Sequence, residues 1–469
     1  MTQTRPSEAP GSGQPALKQV MGPGLLLLFI IGDILGTGVY ALTGEVAGEV
    51  GGAAWLPFAV AFVVALITAC SYLELVTKYP QAAGAALYVH KAFQVHVLTF
   101  LVCFAVMCSG ITSASAASRA FAANLVTGFG LDAGNGVVLL IAVGFMLLVL
   151  AVNLRGVSEG VKVNVVLTVV ELSGLLLVIL FSLYFMAGGQ ADFSRVVAFE
   201  SSADKSVFLA VSTATSLAFF AMVGFEDSVN MAEETKDPVR IFPRMMFTGL
   251  GITGLIYVLV SICAVAVVPV GRLSASETPL VEVVRTAAPD FPITNLLPFI
   301  SMFAVGNSAL INMLMASRLL YGMSKQGVLP HFLSRVHPAR RTPWTSILFT
   351  TALAIGLIAL LSMNPDSPVV ALLGGTTSLL LLAVFAFVNV SVLVLRKDKV
   401  AVRHFQAGRA LPVVGAITCL YLVLPWSSGR PAGQYEIAGV LLAIGVALWV
   451  VTWLVRRRRG EESRAQSDS

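Results

Sequence analysis

Charged side chains are scarce in this chain: they make up 12% of its 469 residues, against about 25% in a typical soluble domain. That shortage excludes a water-facing surface over most of the molecule. Cysteine is as sparse. Cys70, Cys103, Cys108, Cys263 and Cys419 all lie inside apolar runs, with no CxxC pair. A disulfide framework is therefore not expected, and each thiol reads as a small buried hydrophobe. The five histidines show neither metal-ligand spacing nor a catalytic pairing. No Walker A loop occurs, so nothing supports direct ATP drive. No cofactor, no metal and no enzymatic activity are expected.

What is abundant is apolar length. The chain is 57% hydrophobic and its mean hydropathy is +0.86. A spanning helix needs roughly 20 apolar residues, and twelve such runs start near residues 22, 53, 92, 136, 162, 206, 245, 293, 345, 368, 411 and 435. The expected fold class is an all-α polytopic membrane protein with twelve transmembrane helices. The first run lies behind a polar stretch and is too long for a cleavable signal core. Residues 1–21, with Pro6, Pro10 and Pro15, read as a disordered cytoplasmic tail, and residues 460–469 as disordered too.

A net charge of +5 would suit nucleic acid, but its placement points elsewhere. With both termini cytoplasmic, every Lys and Arg except Arg119, Arg195, Lys205, Arg272, Arg285 and Arg430 falls on the inner side. That asymmetry is the positive-inside pattern. Arg456 to Arg459 directly follow the last span and read as an anchor to anionic lipid, part of a basic tail over residues 456–469. Nucleic acid is not an expected partner. Membrane lipid is, and the richness in Ala and Val points to a bacterial inner membrane.

Two spans are interrupted by glycine. One is Gly36-Thr37-Gly38; the other breaks at Val223-Gly224 and continues into Glu226 and Asp227. Spans one to five and six to ten form two blocks of five, roughly residues 22–187 and 206–395, within a core of 22–395; spans eleven and twelve occupy 411–455. An odd block enters the membrane from alternate sides. Matching interruptions in the first helix of each block indicate an inverted-repeat transporter with its site at mid-membrane.

Five ordered motifs carry a family resemblance. They are Gly36-Thr37-Gly38-Val39-Tyr40 through Glu45; Glu74 with Pro80-Gln81-Ala82-Ala83-Gly84; Asn153-Leu154-Arg155-Gly156-Val157; Phe219 to Pro243; and Arg318-Leu319-Leu320-Tyr321-Gly322-Met323 through Gly327-Val328-Leu329-Pro330. In these the chain resembles the amino acid–polyamine–organocation superfamily, in its cationic-amino-acid-transporter-like branch. From about residue 368 onward only hydropathy supports the match. The resemblance implies a LeuT-like fold, a 5+5 inverted repeat with broken helices 1 and 6, moving an amino acid by alternating access.

By the same resemblance the substrate carboxylate would rest on the backbone of Gly36, Thr37 and Gly38, and the ammonium against carbonyls of Phe220, Ala221 and Val223. A half-helix N-terminus supplies free N–H groups and positive potential, which agrees with that assignment. Phe219 or Phe220 would close as a gate; the alternative is an ordinary lipid-facing aromatic. Glycine packing remains the plain alternative for Gly36 and Gly38.

Acids at membrane depth need a cation. Asp33 stands one turn before the first break, where many relatives have a small residue. It reads either as the ion-pair partner of Arg119 or as a substrate or proton ligand. Glu171, mid-span, reads as the proton-coupling carboxyl or as a hydrogen-bonded structural acid. Glu226 and Asp227 face the pathway or neighbouring helices, as coupling or gating groups. Glu233 and Glu234 with Lys236, Arg240 and Arg244 suggest a cytoplasmic charge network, and Glu74 beside Lys78 suggests the same. Asn153, Asn307 and Asn312 read as interhelical hydrogen-bonding residues. The substrate is a cationic or a neutral amino acid: Cys108 in span three favours neutral, Asp33 and Glu226 favour cationic. Proton symport leads; an amino acid or polyamine exchanger and a transport-inactive sensor of the same fold are the alternatives, with the protein a monomer or homodimer.

Overall fold

The computed structural model describes residues 21–81, 84–132, 134–155, 160–200, 205–291, 293–325, 328–338, 340, 342–363, 368–400 and 403–467. The tail over residues 1–20 and parts of three motifs (Ala82-Ala83, Gly156-Val157, Gly327) lie outside the described residues. Eleven described helices are long and apolar enough to cross a membrane, and a shorter apolar helix, Leu411–Val423, stands where the eleventh expected span begins. The protein is a multi-pass membrane protein.

The chain enters through α1 (Pro23–Leu35), with proline at its first turn, where a missing N–H costs nothing. After the break at Gly36 it continues as α2 (Thr37–Val50). Then follow α3 (Trp55–Lys78), α4 (Gly84–Phe93), α5 (His96–Gly128), α6 (Asn135–Arg155), α7 (Gly160–Ala187) and α8 (Phe193–Val197). The second block opens with α9 (Val207–Ala218), which tightens into a 3-10 turn, Phe219–Met222. Val223 is extended, Gly224 has φ +125, and a second 3-10 segment runs Asp227–Glu234. Next come α10 (Pro238–Val267), α11 (Val270–Ser274), α12 (Pro279–Ala287), α13 (Ile293–Lys325), α14 (Trp344–Ser362) and α15 (Val369–Leu395). The chain ends with α16 (Leu411–Val423), α17 (Pro425–Ser428) and α18 (Ala432–Ser467).

Two details differ from the sequence expectation. Pro425 divides the eleventh span, because proline cannot donate into the preceding turn. The backbone of α18 is helical through Ser467, so the stretch read as disordered extends an existing helix instead. Propagating a nucleated helix through Arg, Glu and Ala costs little.

The interrupted helices form the centre. Of the apolar stretch within Pro23–Val50, 78% of residues are buried, against 22% of that within Ala432–Val455, which lies at the periphery. Around the centre α1 packs on α7 and α10, α2 on α9, and the long α5 runs between α13 and α15.

Candidate functional site

The two breaks meet. A Cβ on Gly38 would collide with Ala221 Cα, so the start of α2 lies directly on the 3-10 turn that ends α9. A Cβ on Gly224 would stand 2.7 Å from both the carbonyl carbon and oxygen of Asp33, and its positive φ is one that L residues rarely adopt. Glycine is thus required at both crossings. Gly36 faces Ser308 of α13 at similarly close range.

Breaking a helix strands backbone groups. The structure partners some of them with side chains. Tyr257 of α10 donates its hydroxyl to Ile34 O at 2.5 Å, serving a carbonyl next to the first break. Glu226 Oε2 accepts the Gly224 N–H at 2.9 Å, so this acid caps its own break. Tyr40 donates to Glu171 O at 2.7 Å, tying α2 to α7. At the head of α2 no side chain caps Gly36, which leaves the first amides of that half-helix pointing along its N-terminal axis. Phe220 O accepts a long 3.4 Å bond from Val223 N.

Around this crossing sit oxygens with no hydrogen-bond partner: Thr37 Oγ1, Asp33 Oδ2 and both carboxyl oxygens of Glu171. Thr37 is 3% exposed and Glu171 fully buried. Asn307 lies beside Glu171; one of its amide hydrogens goes to Asn164 Oδ1 at 2.9 Å, and the second is the polar group nearest to hand for the carboxyl. Among the described residues, the ionisable groups that act on Asp33 are Asp227, Glu226 and Glu171, all acids. Four carboxyls are thereby gathered beside two helix breaks.

Gly36, Thr37, Gly38, Phe220 and Ala221 are brought together and buried, with Val223 and Asp227 half-buried at the edge. Phe219 is fully buried with its ring 6.0 Å from that of Phe385, and Phe220 packs on Gly374 of α15. Neither faces lipid.

Charge pairing is where the structure departs furthest from the sequence reading. Arg119 does not pair with Asp33. Its Nη2 meets Glu277 Oε1 at 3.1 Å, in the segment joining α11 to α12. Glu74 does not pair with Lys78 but takes a two-pronged bond from Arg396, at 2.8 Å from Nε and 2.7 Å from Nη2. That bond holds the guanidinium above its usual range. Lys78 donates instead to the carbonyls of Leu395 and Asp398. In the stretch 233–244 the ion pair found among the described residues is Arg240–Asp237 at 3.6 Å. Glu234 contributes its carbonyl to Met21 N at 3.0 Å, and the Glu233 side chain lies outside the described residues. Among the asparagines, Asn307 does bond across helices, Asn312 donates to Ser308 O one turn back, and Asn153 Oδ1 is unpartnered.

Sequence reasoning missed Tyr257, Tyr40 as a tether, Glu277 and Arg396. Each is ordinary in its own segment, and only the packing of distant helices gives it a role.

The chain matches the amino acid permease family model over residues 25–454. It is 24% identical over 433 residues to the branched-chain amino acid permease BcaP of Bacillus subtilis, covering 88% of this chain and 89% of that one. Over 356 residues it is 29% identical to the chloroplastic cationic amino acid transporter 9 of Arabidopsis thaliana, covering 70% and 60%. Over 389 residues it is 29% identical to the low-affinity putrescine importer PlaP of Escherichia coli, covering 80% and 81%.

Proposed function

The chain belongs to the amino acid permease family, and on that premise we propose that it carries an amino acid across a cell membrane by alternating access. The crossing of the two interrupted helices is the observation that carries this reading: Gly38 lies on Ala221 while Gly224 lies on Asp33. The α-carboxylate would rest on the free amides at Thr37 and Gly38, with the unpartnered Thr37 hydroxyl assisting. The α-ammonium would take carbonyls of Phe220, Ala221 and Val223. Phe220, packed on α15, would serve as the gate. The two five-span blocks would act as inverted repeats around this site.

Coupling is proposed to be proton symport, supported by the buried and unpartnered Glu171 carboxyl. Asp33 is proposed as a ligand for a substrate ammonium or a proton, supported by its acidic surroundings and unpartnered Oδ2. Both termini are proposed to be cytoplasmic, which the charge asymmetry supports, and the membrane is proposed to be a bacterial inner membrane.

The test is a thermal-shift screen of purified protein against the common amino acids and polyamines, followed by uptake into proteoliposomes with and without a pH gradient. Stabilisation by one amino acid class together with gradient-driven accumulation is the expected result. Uptake only against a preloaded solute would assign an exchanger. Binding without any flux would assign a sensor.

A further inference from the structure

At the end of the bundle that carries Met21, the last turn of α3 and the end of α15 enclose a cavity of about 460 Å3. It is lined by Glu74, Lys78, Arg396, Asp398, Lys399, His404 and Arg409, among others. A second cavity of about 450 Å3 shares Asp398 as a wall and adds His90, Lys91 and His96. The segment after α15 is strongly basic, with Arg396, Lys397, Lys399, Arg403 and Arg409 against the single acid Asp398.

The acids of the first cavity are already engaged. Glu74 accepts from Arg396 twice and from the Ala407 N–H at 2.9 Å. Asp398 Oδ2 accepts from the Tyr79 hydroxyl at 2.6 Å. The same bonds, with Phe405 N donating to Thr77 Oγ1 at 3.0 Å, strap the loop to α3 and keep the cavity walls in place. Lys399 and Arg409 make no ion pair among the described residues and are exposed at the mouth. The cavity is therefore a built concavity in which Arg396 offsets Glu74, while Lys78, Lys399 and Arg409 outnumber the remaining carboxylate of Asp398. It lies where the apolar helices α3 and α15 end, which is where a spanning helix would reach the lipid headgroups.

We propose that this cavity is a binding site for a phosphate-bearing anion, held by Lys399 and Arg409 and bridging the ends of α3 and α15. Arginine suits a phosphate through its planar fork and lysine as a point charge. The two sources of such a group are an anionic lipid headgroup, which a basic cavity at this depth would meet in the bilayer, and a soluble phosphate.

The experiment uses delipidated full-length protein in detergent, with the thermal midpoint read against three probes at matched ionic strength. These are dioctanoyl phosphatidylglycerol, dioctanoyl phosphatidylcholine and inorganic phosphate. The expected result is a saturable rise of about 2–4 °C with phosphatidylglycerol, none with phosphatidylcholine, and loss of the rise in Lys399→Gln/Arg409→Gln. The control Lys397→Gln/Arg403→Gln removes the same charge outside the cavity and should keep the rise. A saturable rise with inorganic phosphate, lost in the first variant only, supports the site and assigns the soluble source. Equal shifts with both lipids, equal loss in both variants, retention in the first variant, or no shift with any probe would overturn the proposal.

Discussion

Burying a polar oxygen without a partner costs about 1–3 kcal/mol, so a native protein that keeps several in one place has a use for them. Thr37, Asp33 and Glu171 are such residues, and they surround the crossing of the two breaks. Glu171→Gln keeps the shape and removes the titrating proton. Gradient-driven accumulation should fall roughly tenfold, the scale of about 1.4 kcal/mol of coupling, while exchange of substrate across the membrane persists. Accumulation that survives unchanged would leave Glu171 as a packing acid. Tyr257→Phe removes one hydrogen bond to Ile34 O and should lower stability by about 1 kcal/mol, read as a drop in thermal midpoint. The acids themselves were legible in the sequence, since charge inside an apolar run announces itself. Their partners were not: Arg119 finds Glu277, and Glu74 finds Arg396 across 322 positions, choices made by how distant helices pack.

At the scale of the element, the breaks are what the chain spends its glycines on. Gly224→Ala forces an L side chain into φ +125 and against the Asp33 carbonyl, a strain of about 1–3 kcal/mol before any steric clash is counted. Transport and thermal midpoint should both fall. Gly251→Ala is the matched control: a Cβ there meets nothing within 4 Å inside α10, and helix propensity favours alanine by roughly 0.5–1 kcal/mol. A variant at Gly224 that behaves like the one at Gly251 would mean that the crossing tolerates separation. These elements were also the most readable part of the sequence. Spans are long apolar runs, and Gly36-Thr37-Gly38 and Val223-Gly224 interrupt two of them in corresponding places. The eight-residue 3-10 segment after the second break was not readable, because its geometry answers to packing against α1, α3 and α4.

At the scale of the molecule, α15 is fastened at both ends to different neighbours. Near its end it is held to α3 by Arg396 on Glu74. Near its start it is held by Arg430, which donates to Gly375 O at 2.8 Å and to Ser378 Oγ at 2.9 Å. The same guanidinium reaches Ser216 O of α9 at 3.3 Å, Leu422 O at 2.8 Å and Gln434 Oε1 at 2.9 Å. Arg430 is buried, and among the described residues its guanidinium is met by carbonyl, hydroxyl and amide oxygens with no carboxylate in an ion pair. Five acceptors on α9, α15, α16 and α18 thus depend on one planar fork. The proposed alternating access would require the two blocks to move against each other, and a helix fastened at both ends would transmit such movement only if one fastening yields. The Glu74 clamp is the one near water, with Arg396 27% exposed, whereas Arg430 is enclosed. Arg430→Gln strands several buried carbonyls and should cost about 2–4 kcal/mol, lowering the thermal midpoint. Arg430→Lys keeps the charge but offers three donors in place of five and should fall between the two. Glu74→Gln, by contrast, should cost less stability and change the rate of transport more. If both positions altered rate and midpoint in the same proportion, α15 would be moving as a rigid strut with neither end acting as the release.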